Sequence, residues 1–268
     1  MKKISLFKVE TDNHIGWLTL NRPEKRNVMG LAFFEEIGSW FDDFDRNPDI
    51  RVVIIRAEGK SFSAGTDLEE AATLVSQRSA DGRDKMHKNI LALQQGFTKI
   101  ERCRKPVIAA IHSHCIGGGM DMICACDMRL ATKDAIFSIR ETRIGIVADL
   151  GTLQRLPHII GQSWFRELAL TGRDFTAQEA LQMGLVTRIC DDRAALYKTA
   201  KNLADQIAAC PPLTVQGTKE VINYSRDNGI EAGLQYVAQK NSAALPSEDL
   251  FEAVTAFMEK RKPVFRGR

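Results

Sequence analysis

Two nearly unbroken apolar runs, RVVIIRAEG (51–59) and PVIAAIHSHC (106–115), constrain the fold of this chain more than any other feature. A strand with one wet face alternates apolar and polar residues. A continuous run is expected where both faces are covered, as in a parallel sheet packed between helices. Each run leads into small residues, GKSFSAGTDL (59–68) and IGGGMD (116–121), and then into a helical pattern. MRLA (128–131), AIFSI (135–139) and VTRIC (186–190) continue the series. The alternation argues for an α/β fold with a largely parallel sheet flanked by helices.

Around this frame the sequence predicts two opening strands, Ile4–Glu10 and Ile15–Leu20, joined at a polar turn near Asp12 and Asn13. A loop, NRPEKRNVMG, precedes a helix over 31–46 whose Leu31, Phe34, Ile37, Phe41 and Phe44 recur every three or four residues. A long helix carries Met86, Ile90, Leu93, Phe97 and Ile100, and a short one runs from the Gly triplet to about Cys126. From Asp149 the pattern is mostly helical, with a capping box at Thr176 and Glu179. Four helices follow from about 193, including 212–228 and 247–259. The chain thus divides into a core over 1–192 and a helical region over 193–268, within the size of one large domain plus an appendage.

A net charge of +3 suits a phosphate-bearing ligand and is too small to argue for nucleic acid. No apolar run approaches the roughly 18 residues of a membrane span. The N-terminal MKKISLFKVETD has no secretory h-region, and the final RGR is not a peroxisomal address, so a cytoplasmic protein is expected. Six cysteines lack framework spacing and are expected to be reduced and buried. His112, His114, Cys115, Cys124 and Cys126 lack the usual zinc spacing; core packing, with no metal, is the expectation.

Chemistry can sit in three places. The turns SAGTD (63–67) and IGGGMD (116–121) let the backbone approach a ligand and leave helix-terminal N–H groups free. Two such donors converging on one oxygen would form an oxyanion hole; alternatively both are structural turns. The Gly triplet is not followed by a dinucleotide fingerprint, and no P-loop occurs. The third place is the set of acids Asp121, Glu141 and Asp149. Each has an ordinary reading: Asp121 as an early-helix acid, Asp149 as an N-cap, Glu141 as an ion-pair partner of Arg140 or Arg143.

Taken with NRPEKRN, ACDMRLA, GTLQRLPHIIG, LTGRDFTAQEALQMGLV and FMEKRKPVF, these motifs resemble the crotonase (enoyl-CoA hydratase/isomerase) superfamily nearly end to end. The resemblance implies a ββα spiral core with a C-terminal helical oligomerisation region, assembled as a trimer or dimer of trimers. It implies an acyl-CoA substrate whose thioester oxygen is held by the N–H groups of Thr66 and Gly118. Lys25, Arg26, Ala64, Gly65, Asp67 and Leu68 would line the CoA path, with Phe257 and Lys260 near a CoA. No separate cofactor is implied, since coenzyme A belongs to the substrate.

A hydratase of this superfamily typically has Glu at the positions matching 121 and 141 and Gly near 149. Asp121 and Asp149 depart from that pattern and look like the Δ3,5-Δ2,4-dienoyl-CoA isomerase branch. In that reading Asp149 takes a proton from C2, Glu141 delivers one to C6, and Asp121 holds or tunes the pair. Ile146, Val147 and Leu150 are expected to raise the pKa of Asp149. A 2-enoyl-CoA hydratase is the alternative. A non-catalytic acyl-CoA or RNA-binding homologue is a second one, although the basic residues are dispersed.

Overall fold

The computed structural model describes residues 5–75 and 79–268. Its strands are β1 (Phe7–Asp12), β2 (Ile15–Leu20), β3 (Val52–Ala57), β4 (Val107–Ile111), β5 (His114–Ile116), β6 (Met128–Thr132), β7 (Ile136–Ser138), β8 (Phe175–Thr176) and β9 (Arg188–Cys190). Its helices are α1 (Leu31–Arg46), α2 (Leu68–Val75), α3 (Ala80–Arg102), α4 (Gly118–Cys124), α5 (Thr152–Arg155) and α6 (Pro157–Ile160). They continue with α7 (Gln162–Thr171), α8 (Ala177–Gln182), α9 (Arg193–Ala208), α10 (Pro212–Asn228), α11 (Ile230–Ala244) and α12 (Glu248–Met258).

A six-stranded sheet has the order β1-β2-β3-β4-β6-β9, parallel from β2 onward; a smaller one has the order β5-β7-β8. The antiparallel β1–β2 hairpin turns through Asn13 and His14, both at positive φ, the conformation a two-residue hairpin loop needs. The chain then spirals. After β4 it adds β5 to the small sheet and enters α4; after β6 it adds β7 and enters a 3₁₀ turn over Glu141–Ile144. The segment after β3 repeats the move in reduced form, with Ser63 pairing in parallel to Cys115 of β5.

The unbroken apolar runs are explained by packing on both faces. Val53 and Ile55 of β3 join the core that includes Phe34 and Ile37 of α1 and Phe97 of α3. Val52 and Ile54 point the other way, toward Leu196, Ala200 and Ala204 of α9. Alanines four residues apart form one smooth helix face, which lets α9 lie close to the sheet. At the N-terminal ends of the strands, Lys219 of α10 pairs with Asp127 at 2.6 Å and donates to Lys105 O. Arg51, just before β3, donates to Ala208 O and Phe265 O, and Asp249 of α12 accepts from the N–H groups of Arg266 and Gly267. The C-terminal tail is therefore tied to the end of the sheet where β3 begins.

Several expectations need correction. β1 spans Phe7–Asp12 and not Ile4–Glu10, and Ile4 lies outside the described residues. The run 106–115 is two strands, because Ser113 adopts φ +53 and breaks the extension between β4 and β5. The helix expected after SAGTD is the short α2, an element separate from the long α3, and the two-residue β8 was not expected. Five cysteines are buried, whereas Cys210 is exposed.

Candidate active site

The site lies beyond the C-terminal ends of β3 and β4, and the loop after β2 shapes its first wall. Asn27 is buried at φ +54, a conformation that asparagine tolerates. Its Oδ1 accepts from Arg22 N, and its Nδ2 donates to Glu58 O and Ser61 O at 2.9 and 3.0 Å. Ser63 Oγ donates to Asn27 O and accepts from Gly65 N. Met29 N donates to Gly65 O and Asp67 N to Met29 O, both at 2.9 Å, so Thr66 is clamped with its own N–H facing away from Met29.

The second wall is the glycine triplet. Gly117 has φ +52, a conformation open to glycine, and its N–H donates to Ser138 O at 2.9 Å. A Cβ on Gly65, at φ +93, would come within 2.8 Å of Ile116 O and 3.4 Å of Gly118 N. One on Gly118 would stand 3.1 Å from Thr66 Oγ1 and 3.4 Å from Thr66 N. Among the described residues, neither the Thr66 nor the Gly118 N–H donates to a protein acceptor. Two unspent donors therefore converge where side chains are excluded, the arrangement an oxyanion hole requires.

The three acids arrive from separate elements. Asp121, on the first turn of α4, is 1% exposed, and its Oδ1 accepts from Thr152 N at 2.7 Å. Glu141 opens the 3₁₀ turn after β7; its Oε1 is 3.0 Å from where a Gly117 Cβ would lie, and its Oε2 is buried without a partner among the described residues. Asp149 is half-buried between two glycines at positive φ, Gly145 and Gly151. Burial and the neighbouring Glu141 carboxylate push Asp121 up to about 7, with Asp149 adding to the push. Burial raises Glu141 too, and the Asp149 charge adds to it against the pull of the residue's own backbone N–H. Asp149 is raised by burial. Like charges this close titrate as a group, so the cluster holds on to a proton toward neutral pH.

The ordinary reading of Asp121 as an early-helix acid stands, since it lies on the first turn of α4, whereas those of Asp149 and Glu141 do not. Asp149 does not cap α5, whose N-cap is Gly151; Asp121 takes that N–H instead. Arg140 pairs with Asp174 and Arg143 donates to Thr171 O, so neither engages Glu141. Ile146 and Val147 are exposed, contrary to expectation, and the burial around Asp149 comes from Ala148 and Leu150.

The expected CoA-path residues divide. Ala64 N donates to Arg26 O, Lys25 lies 3.6 Å from Glu69, and Leu68 is exposed, so these line one open edge beside Gly65. The Asp67 side chain is otherwise engaged: it pairs with Arg22 at 3.4 Å and accepts from Glu69 N at the start of α2. Phe257 and Lys260 are not brought to this chain's own Thr66 and Gly118. Both are exposed on or just after α12, which is anchored at the opposite end of β3. Sequence reasoning missed Asn27, Thr152 and Gln94. Asn27 carried a faint signal, an asparagine in a loop where a left-handed residue fits; the other two act through contacts between distant segments.

A family model described as enoyl-CoA hydratase/isomerase matches residues 10–268. The peroxisomal Δ3,5-Δ2,4-dienoyl-CoA isomerase of Arabidopsis thaliana is 45% identical over 98% of this chain and 97% of its own length. The mitochondrial enzyme of the same name from Dictyostelium discoideum is 45% identical over 93% of this chain and 86% of its own. The crystal structure of an enoyl-CoA hydratase from Bacillus anthracis superposes with a TM-score of 0.91 at 31% identity, over 98% of this chain and all of that one.

Proposed function

The chain belongs to the enoyl-CoA hydratase/isomerase family, and within it we propose that this enzyme shifts 3,5-dienoyl-CoA to 2,4-dienoyl-CoA. One observation carries the reading: the two unspent N–H groups at Thr66 and Gly118 stand beside the half-buried Glu141 carboxyl, whose Oε2 has no partner among the described residues, with a further carboxylate, Asp149, electrostatically coupled to it. A hydratase has no use for that extra acid. The names of the relatives point the same way.

The reaction moves one proton and two double bonds. Asp149, ionised, removes a proton from C2. The electron pair spreads over the thioester oxygen and the carbons as far as C6, and the oxygen is held by the Thr66 and Gly118 N–H groups. Glu141, protonated at the start, delivers its proton to C6, leaving double bonds at C2–C3 and C4–C5. The turnover leaves the proton on Asp149 and an empty Glu141, and a return of that proton through Asp121 or water resets the pair. Raised pKa values suit both roles, because a base and an acid work best when poised near the operating pH. The shift is redox-neutral and needs no cofactor beyond the coenzyme A of the substrate. Lys25, Arg26 and the 64–68 edge would carry the CoA moiety.

Hydration of a 2-enoyl-CoA needs two acids flanking a water. Asp121 is retracted toward Thr152 N and is poorly placed to be one of them. Exposed apolar residues on α11 and α12, including Ile230, Leu234, Phe251 and Phe257, support assembly into a trimer or dimer of trimers. The test of the activity is optical. Purified enzyme mixed with a 3,5-dienoyl-CoA should build the 2,4-dienoyl chromophore rapidly and hydrate a 2-enoyl-CoA slowly. The reverse preference would overturn the isomerase reading.

A further inference from the structure

Among the described residues the Asp149 carboxylate bonds to no other residue and accepts from its own backbone N–H, so its placement depends on how that backbone is held. The loop around it has little else. Ile146 N donates to Glu141 O, and the next backbone N–H bonds beyond Thr152 N belong to Gln154 and Arg155 at the start of α5. Between them, among the described residues, no N–H of 147–151 donates to another residue. Both ends of the stretch are glycines at positive φ, +76 at Gly145 and +126 at Gly151, which leaves the turn free to pivot. Two buried side chains, Ala148 and Leu150, and one strong polar contact pin it. That contact is Gln94 Nε2 donating to Asp149 O at 2.7 Å, from the middle of α3.

We propose that Gln94 is a positioning residue: its amide fixes the backbone of Asp149 and so aims the carboxylate at the carbon it deprotonates. The helix that carries it is itself fixed against the same loop. Thr98 and Glu101, lower on α3, bind Arg155 of α5, whose guanidinium reaches back to Leu150 O at 3.5 Å. Glu101 is held ionised by Arg155 and by Arg226 of α10 despite its burial. A cavity of about 310 Å³ behind the loop is lined by Gln94, Arg155 and Arg226 among others, so without the amide the loop has room to recede. A displacement of an ångström at the base costs up to about a hundredfold in rate.

The inference rests on the reading of Asp149 as the base, and the experiment separates the two. Gln94→Met keeps length and volume but removes the donor; Gln94→His restores an N–H at similar reach. In Gln94→Met, kcat should fall about ten- to a hundredfold with KM within about twofold. Hydrogen exchange at the Ile146 and Thr152 N–H groups, the bonded ones at the two ends of the loop, should rise while the midpoint of thermal unfolding barely moves, and Gln94→His should recover much of the rate. Asp149→Asn is measured alongside. If it collapses the rate while Gln94→Met leaves both rate and exchange as in the wild type, the positioning role is overturned and the base stands. If Asp149→Asn is itself fully active, the base assignment falls and takes the positioning role with it.

Discussion

At the scale of single residues, Asp121 shows how one methylene redirects a side chain. The shorter acid sits fully buried and accepts the first free N–H of α5, a contact typically worth about 1 kcal/mol to a helix end. It does so at a cost in charge. Its folded pKa stands near 7 against an ordinary value of 3.8, so between those limits the native state binds more protons than the unfolded chain. Stability is therefore greatest below the lower value and falls as pH rises through the window, by at most about 4 kcal/mol. Asparagine keeps the accepting oxygen and discards the charge. Asp121→Asn should raise the urea midpoint above wild type at pH 8 and match it near pH 4; equal midpoints at both pH values would show that the carboxylate is not strained. At Gly118 an added methyl group would cover the space facing Thr66 N, so Gly118→Ala should lower kcat about a hundredfold or more at nearly unchanged stability. Asp149 was legible in the sequence as a charge in an apolar run, Asp121 as an acid just after the Gly triplet, and Glu141, between Arg140 and Arg143, gained its role through the resemblance. The partners of the two aspartates were not legible, because Thr152 and Gln94 meet them only across 31 and 55 residues of chain.

At the scale of elements, the two unbroken runs announced strands covered on both faces, and β3 and β4 are covered in that way by α9 on one side and α1 and α3 on the other. Apolar periodicity placed α1 at its observed bounds, since its stripe of Phe34, Ile37, Phe41 and Phe44 is the face that packs. The break within 106–115 was hidden, because a positive φ at Ser113 leaves no trace in hydrophobicity. The crossing of α1 and α3 offers a test of packing. Gly96 comes so close to α1 that an added Cβ would lie 2.9 Å from Phe34 O, a backbone atom that cannot step aside. Gly96→Ala should destabilise the protein by about 1–3 kcal/mol in urea titration. Because α3 also carries Gln94, part of the activity should be lost well below the unfolding midpoint.

At the scale of the whole molecule, the strand order β2-β3-β4-β6-β9 brings the turns after β3 and β5 side by side, and that adjacency makes the site. Local pattern does not disclose strand order; the motifs shared with the crotonase superfamily do. Single-chain geometry leaves α12 with Phe251, Val254 and Phe257 in water, more apolar surface than an isolated helix face comfortably exposes. Light scattering should find a trimer or a multiple of it, and Phe251→Asp with Phe257→Asp should shift the mass toward the monomer; an unchanged mass would place the interface elsewhere. Two carboxylates acting at opposite ends of the dienoyl unit leave distinct isotopic marks when turnover runs in D₂O. Deuterium in the substrate and product is located by NMR for wild type, Asp149→Asn and Glu141→Gln. Deuterium should appear at C6 of the wild-type product, the C2 protons should wash out without product in Glu141→Gln, and neither event should occur in Asp149→Asn. Normal isomerisation in either variant, or C2 washout that depends on Glu141 and not on Asp149, would rule out this division of labour between the two acids.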